Sequence, residues 1–187
     1  DGSSYAVVDK LGKGSFAKLK EKVKDRLFAI ANDIIKIAAA RELVNGIQIN
    51  TDKKILEDFQ KSAGFDYTKD QKRSIKEIFT DLSSGRVMDR LLSGDVGFGK
   101  TEVAMNAMLA VILDGFQTIF VCPTTLLATQ HYHSMQKRFS EFGISIAKLD
   151  GKTNAKEKAH IKKGLESGEI KLVIGTHSLL EIKTNNL

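Results

Sequence analysis

The chain has 187 residues, of which 42% are hydrophobic and 28% charged, with a net charge of +6 and a single cysteine. That length buries one good core and leaves room for a small appendage. No run of about 18 apolar residues occurs, and the N-terminus lacks a basic, apolar, small-residue leader pattern, which argues against a spanning helix and a signal peptide. A lone cysteine excludes a disulfide framework, so the cytoplasm is the default compartment; Cys122 lies in an apolar run that suits a core position. His131, His133, His160 and His177 show no metal-ligand spacing, and the mild positive charge is compatible with a nucleic-acid partner without requiring one.

Residues 1–14 carry Gly2-Ser3-Ser4 and Gly12-Lys13-Gly14, turn-forming and aperiodic, and read as a linker or the tail of a preceding domain. From Ser15 to about Val44 the pattern changes. Phe16, Leu19, Val23, Leu27, Ile30, Ile34 and Ile37 recur every three or four residues, which predicts a long amphipathic helix within a connecting element over residues 15–50. A helix of that kind needs a surface to lean on. Its basic residues, Lys18, Lys20, Lys22, Lys24 and Arg26, are spread around it rather than lined along one face, which favours a solvated surface over a DNA-binding stripe. Asn45-Gly46 supplies the stop.

Residues 51–187 then read as one alternating α/β unit. Thr51 is placed to cap a short helix through Ile55, Leu56 and Phe59. Thr68 and Gln71 have capping-box spacing, and Ile75, Ile78 and Leu82 give the next helix its buried side. Val87–Ser93 reads as a short buried strand. It leads into Gly94-Asp95-Val96-Gly97-Phe98-Gly99-Lys100-Thr101, a Gly, four variable residues and Gly-Lys-Thr, followed by a helix-forming run from Glu102 to Leu109. Strand, glycine loop and helix are the context in which this pattern cradles phosphate. The glycines let successive N–H groups point at an anion at a helix N-terminus; Lys100 reaches the β- and γ-phosphates and the Thr101 hydroxyl ligates Mg²⁺. Beyond the loop, Thr118–Cys122 reads as a strand, Pro123-Thr124-Thr125 opens a helix through Leu127, His131 and Met135, and Ile144–Leu149 alternates as a strand. Asn154 and Glu157 form a second capping-box pair, opening a polar helix that ends near Gly168, and Leu172–Thr176 is a last short strand. Strands separated by helices of this length imply a parallel sheet covered on both faces.

The order and spacing of these elements resemble the first RecA-like motor domain of superfamily-two helicases and translocases. Phe65 and Gln71 resemble that superfamily's adenine-recognition element, an aromatic face and a carboxamide that meets both hydrogen-bonding edges of adenine; on local spacing alone Gln71 serves equally as a helix cap. Pro123-Thr124-Thr125-Leu126-Leu127-Ala128 and Gly175-Thr176-His177-Ser178-Leu179-Leu180 resemble its strand-end motifs, which hold nucleic-acid phosphates rather than bases. A helix opening at Pro-Thr-Thr is also simply well capped.

The run from Met88 to Met105 is similar to bacterial transcription-repair coupling factors, with Phe98 favouring them over the related RecG-type helicases; Leu11-Gly12-Lys13-Gly14-Ser15-Phe16 ahead of the long helix points the same way. Two departures stand out: Lys69 where the family often has Pro, and Asp150-Gly151-Lys152-Thr153 where an arginine is expected.

The resemblance implies a P-loop NTPase fold that binds ATP and Mg²⁺. Phe65, Gln71 and Gly94, Asp95, Val96, Gly97, Phe98, Gly99, Lys100, Thr101 and Glu102 would contact the nucleotide, Lys100 and Thr101 carrying the catalytic and metal roles. Thr124, Thr125, Gly175, Thr176 and His177 would contact double-stranded DNA, and RNA polymerase and excision-repair proteins would be the partners. A RecG-like helicase, which would carry a wedge domain where the long helix stands here, and a non-catalytic interaction module with a nucleotide switch are the alternatives. No Asp-Glu-x-His carboxylate pair follows the last strand, which implies a truncated motor that binds adenine nucleotide weakly, hydrolyses it negligibly and self-associates or covers its exposed sheet with the long helix.

Overall fold

A computed structural model describes residues 15–181. The chain divides between Asn45 and Gly46 into two compact units. The first contains helix α1, Ser15–Glu42, which ends three residues before the Asn45-Gly46 stop. On it Phe16 is 68% exposed, and Leu27 and Ile34 are each 61% exposed.

In the second unit, α2 (Lys54–Lys61), α3 (Lys69–Ser83) and α4 (Lys100–Leu113) precede strand β1 (Thr118–Val121). Then come α5 (Thr125–Ser140), β2 (Ile146–Leu149), α6 (Ala155–Glu166), β3 (Leu172–Gly175) and a 3₁₀ turn at His177–Glu181. The sheet is parallel with order β1-β3-β2, and Val121, Gly175 and Leu149 lie abreast at its C-terminal edge. The β3 run is apolar throughout because both faces are covered. Leu172 and Ile174 face a core built with Phe59, Leu109, Met135 and Phe139 from α2, α4 and α5, while Val173 faces Ile161 and Leu165 of α6. A further apolar layer packs Tyr67, Ile75 and Ile78 against Val103, setting α3 on α4. The expected three-layer α/β arrangement is present.

Three local expectations need correction. Val87–Ser93 is not a strand: it forms no ladder, and Leu91 is 91% exposed. A run becomes a strand only where a neighbouring strand takes its backbone groups, and among the described residues no strand lies beside this one. The segment is held instead by its side chains. Arg90 donates to Asp81 at 2.6 Å and Glu77 at 2.8 Å on α3, and Leu92 packs against the α3–α4 layer. Thr51 does not cap α2; the N-cap is Lys53, without a side-chain bond, and Lys53 is itself paired to Asp114 at 2.8 Å. At α6 only half of the expected capping box forms, with the Asn154 side chain accepting from the Glu157 N–H at 2.9 Å. By contrast, the Thr68–Gln71 box is complete. Cys122 is buried as expected, which pushes its thiol pKa up.

Candidate functional site

The glycine loop turns through two left-handed residues, Gly97 at φ 85° and Gly99 at φ 71°. L side chains are strained there, and at Gly99 space is also missing: a Cβ would sit 2.4 Å from the Gln71 carboxamide nitrogen. Gly99 is the N-cap of α4, so the orphan N–H groups of that helix face the loop. The backbone N–H groups of Gly97, Gly99, Lys100 and Thr101 reach no backbone carbonyl among the described residues. The Lys100 ammonium folds back over the loop, donating to the Gly94 carbonyl at 2.6 Å and the Asp95 carbonyl at 2.7 Å. A cation held by two neutral carbonyls, beside unpaired N–H donors at a helix start, fits a bound polyphosphate. The carbonyls satisfy the lysine without neutralising it, and an anion does both. Thr101 follows in the first turn of α4, half buried, which suits a hydroxyl offered to a metal on that phosphate.

Gln71 joins the two halves of this site. Its side-chain oxygen accepts from the Thr68 N–H at 2.9 Å, and its nitrogen donates to the Phe98 carbonyl at 3.0 Å. The residue therefore caps its helix and holds the loop at once. It lines a cleft of about 420 Å³ together with Thr68, Ser93, Gly94, Asp95, Phe98 and Lys100. Phe65 lies outside that cleft, 52% exposed, its ring centroid 5.5 Å from that of Tyr67. Val96 is almost fully exposed and Phe98 is 65% exposed.

Glu102 is a correction. Although it follows Thr101 directly, its side chain turns away from the loop and is buried, where it accepts from the Tyr67 hydroxyl and pairs with Arg138 at 2.8 Å. The Asn106 amide donates to the Tyr67 oxygen at 3.2 Å and to the Glu102 carbonyl at 2.9 Å. Burial, and then the bond to Glu102, push the Tyr67 pKa up to about 12, so the hydroxyl stays a donor. Sequence reasoning missed Tyr67, Asn106 and Arg138. The signal was present in α4: Glu102 and Asn106 stand four apart, on one face of a helix otherwise rich in buried apolar residues. A buried carboxylate there requires a cation from elsewhere in the fold.

The second group of expected residues gathers along the C-terminal edge of the sheet. Thr124 caps α5, its hydroxyl accepting from the Leu127 N–H at 3.3 Å, and Thr125 opens the helix. Thr176 and His177 leave β3 at the same edge; His177 is exposed, and the Thr176 hydroxyl lies 3.4 Å from that of Ser178. Gly175 does not share that outward position. It is buried inside the sheet, its carbonyl accepts from the Cys122 N–H at 2.7 Å, and a Cβ would fall 1.8 Å from the Leu149 carbonyl oxygen. Its glycine is a packing requirement. On the neighbouring strand Asp150 is buried in a turn, accepting from Lys148 at 3.0 Å and the Lys152 N–H at 2.8 Å. Burial alone would raise its pKa, but these bonds outweigh it and hold the carboxyl below its usual range.

A family model described as DEAD/DEAH box helicase matches residues 68–186. The transcription-repair-coupling factor of Helicobacter pylori strain J99 is 52% identical over 184 residues, covering 98% of this chain and 18% of the relative. That of Bacillus subtilis is 43% identical over 171 residues, covering 91% of this chain and 14% of its own length. A structure of RecG bound to a three-way DNA junction is similar with a TM-score of 0.78 at 43% identity, covering 92% of this chain and 24% of that one. The chain thus spans less than a fifth of the length of these curated relatives. The RecG match covers a larger share than residues 46–187 make up, so it reaches into the N-terminal unit.

Proposed function

Because the chain belongs to the DEAD/DEAH box helicase family, we propose that it forms the ATP-binding part of a double-stranded-DNA translocase of the transcription-repair coupling kind. The observation that carries the reading is Gln71, whose one carboxamide ties the helix behind the adenine element to the Phe98 carbonyl of the phosphate loop. Bound ATP supplies a phosphoanhydride whose hydrolysis drives motion. The chain's own residues bind and orient it. The N–H groups of Gly97, Gly99, Lys100 and Thr101 would meet the phosphates, and the Lys100 ammonium, now on the Gly94 and Asp95 carbonyls, would turn to the phosphate oxygens. Thr101 would hold Mg²⁺, and the open face of Phe65 would stack on the base.

Thr124, Thr125, Thr176 and His177, at the strand ends, hold duplex phosphates in the same reading, giving affinity without sequence preference. RNA polymerase and excision-repair proteins are the partners of the whole protein, as the coupling-factor relatives suggest. Among the described residues no helix is long and apolar enough to cross a membrane.

Titration of a fluorescent ATP analogue with Mg²⁺ tests the proposal. Lys100→Ala should weaken binding at least about ten-fold, consistent with loss of a charge-assisted contact, and Phe65→Ala should weaken it less. Binding indifferent to Lys100→Ala overturns the site. Turnover by this chain should be negligible; steady ATP hydrolysis abolished by Lys100→Ala would contradict that part. A second reading, a RecG-like branched-DNA helicase, is favoured by the 43% identity to the RecG structure. Preference of the intact protein for three-way junctions over linear duplex would select it.

A further inference from the structure

Behind the phosphate loop lies a polar cluster that nucleotide contact does not account for. Tyr67, Glu102 and Asn106 are each less than a tenth exposed, and the Arg138 side chain is 12% exposed. Arg138, in the last turn of α5, ties three elements together: its own helix, α4 and α2. It donates to Glu102 of α4 at 2.8 Å and to the Phe59 carbonyl at 2.7 Å and the Ser62 hydroxyl at 2.5 Å at the end of α2, and its guanidinium lies 4.1 Å from the Phe59 ring centroid. Tyr67 adds a fourth, because its hydroxyl meets Glu102 while its ring lies beside Phe65.

We infer that Tyr67, Glu102 and Arg138 are positioning residues that set the adenine-stacking ring of Phe65 at a fixed distance from the phosphate loop. The inference rests on the nucleotide reading above. Phe65 is half exposed and has no hydrogen-bonding handle of its own. What fixes it is the ring of Tyr67, and what fixes Tyr67 is a carboxylate one residue past Thr101. The path from base to phosphate is therefore short and rigid: Phe65, Tyr67, Glu102, Thr101. Arg138 neutralises Glu102 and clamps the end of α2, from which the Phe65 segment departs. The loop itself is held by a separate contact, Gln71 to Phe98, together with the left-handed glycines. Loosening the cluster should therefore spare phosphate binding and harm adenine binding, a selectivity that a purely structural role does not give.

Titration calorimetry of this chain with MgADP and with magnesium pyrophosphate separates the two. Tyr67→Phe keeps the ring and removes only the hydroxyl. It should weaken ADP about five-fold, the loss carried by one ordinary hydrogen bond, and leave pyrophosphate within about two-fold. Arg138→Met should weaken ADP further, and Arg138→Lys, which keeps the charge on Glu102 without the fork, should recover part of the loss. Ile161→Val, in the core on the other face of the sheet, lowers stability without touching the cluster and should leave the ratio of the two affinities unchanged. ADP and pyrophosphate affinities falling together in Tyr67→Phe, or neither changing, overturns the positioning role. Failure of the unsubstituted chain to bind either ligand overturns the nucleotide reading and this inference with it.

Discussion

Strand β3 and the segment Val87–Ser93 both read as short strands in the sequence and have opposite fates, the first apolar throughout and the second interrupted by Asp89 and Arg90. All four β3 residues are buried, bonded to strands on both sides and covered by helices on both faces. Val87–Ser93 has no strand beside it among the described residues, and it presents Leu91 to solvent although Leu92 is partly covered. The difference lies in what each run meets. β-propensity describes a side chain's fit to a pleated, half-buried surface, and without neighbours that preference has nothing to act on. The loop following this segment nevertheless keeps its shape, because its supports are helical: the cap at α4, the Gln71 bridge and the Arg90 pairs to α3.

The largest effects should come from β3. Gly175→Ala places a methyl group 1.8 Å from the Leu149 carbonyl oxygen, a backbone atom that cannot swing aside. The sheet must part there, and we expect a loss of more than about 3 kcal/mol, read from the denaturant midpoint. Ile174→Ala, which empties part of a fully buried site, should cost about 2–5 kcal/mol. A loss under about 1 kcal/mol for either would mean that β3 is not the centre of the unit.

Loop substitutions should cost less stability and more function. Gly97 has open space around its Cα but a φ of 85°, so Gly97→Ala should cost about 1 kcal/mol in folding. Gly99→Ala adds a collision with the Gln71 nitrogen. That atom ends a flexible side chain and can move, but in moving it gives up the Phe98 carbonyl. We expect a modest further loss of stability with a large loss of ATP-analogue binding. Equal binding by Gly97→Ala and Gly99→Ala would show that the Gln71 bridge does not hold the loop.

This contrast explains how much was legible in advance. Features carried by local chemistry could be read: the complete Thr68–Gln71 box, the glycine loop, the three strands whose neighbours lie within the chain, and the two-sided burial of β3. Features decided by distant partners could not. Nothing near Glu102 in sequence announces Arg138, which lies 36 residues later, so a residue beside Thr101 read as a nucleotide contact. Gly175 read as part of a strand-end motif because the pattern shows a glycine without showing the Leu149 carbonyl that requires it. Thr51 resembled a cap, but Lys53 occupies that position while held by Asp114.

The Tyr67 hydroxyl gives a smaller, pH-dependent effect. Its folded pKa lies above the unfolded value of 10.0, at about 12, so the protonated form favours folding. Its contribution is fully present below pH 10 and is lost as pH rises from there through about 12. Tyr67→Phe should remove this part of the alkaline decline in melting temperature. An unchanged alkaline profile would mean that other groups set it.

The smallest effect is expected at Leu91. Leu91→Asn should change stability by no more than about 0.5 kcal/mol, because a side chain that is 91% exposed loses almost no burial when made polar. The same exchange at Leu172 of β3, fully buried, would strand a carboxamide in the core at a cost of several kcal/mol. The pair therefore measures the contrast directly, with the same chemistry in two strand-like runs. If Leu91→Asn proves as costly as Leu172→Asn, the 87–93 segment is buried in solution, by a second copy or another covering surface, and sedimentation at rising concentration would distinguish the two.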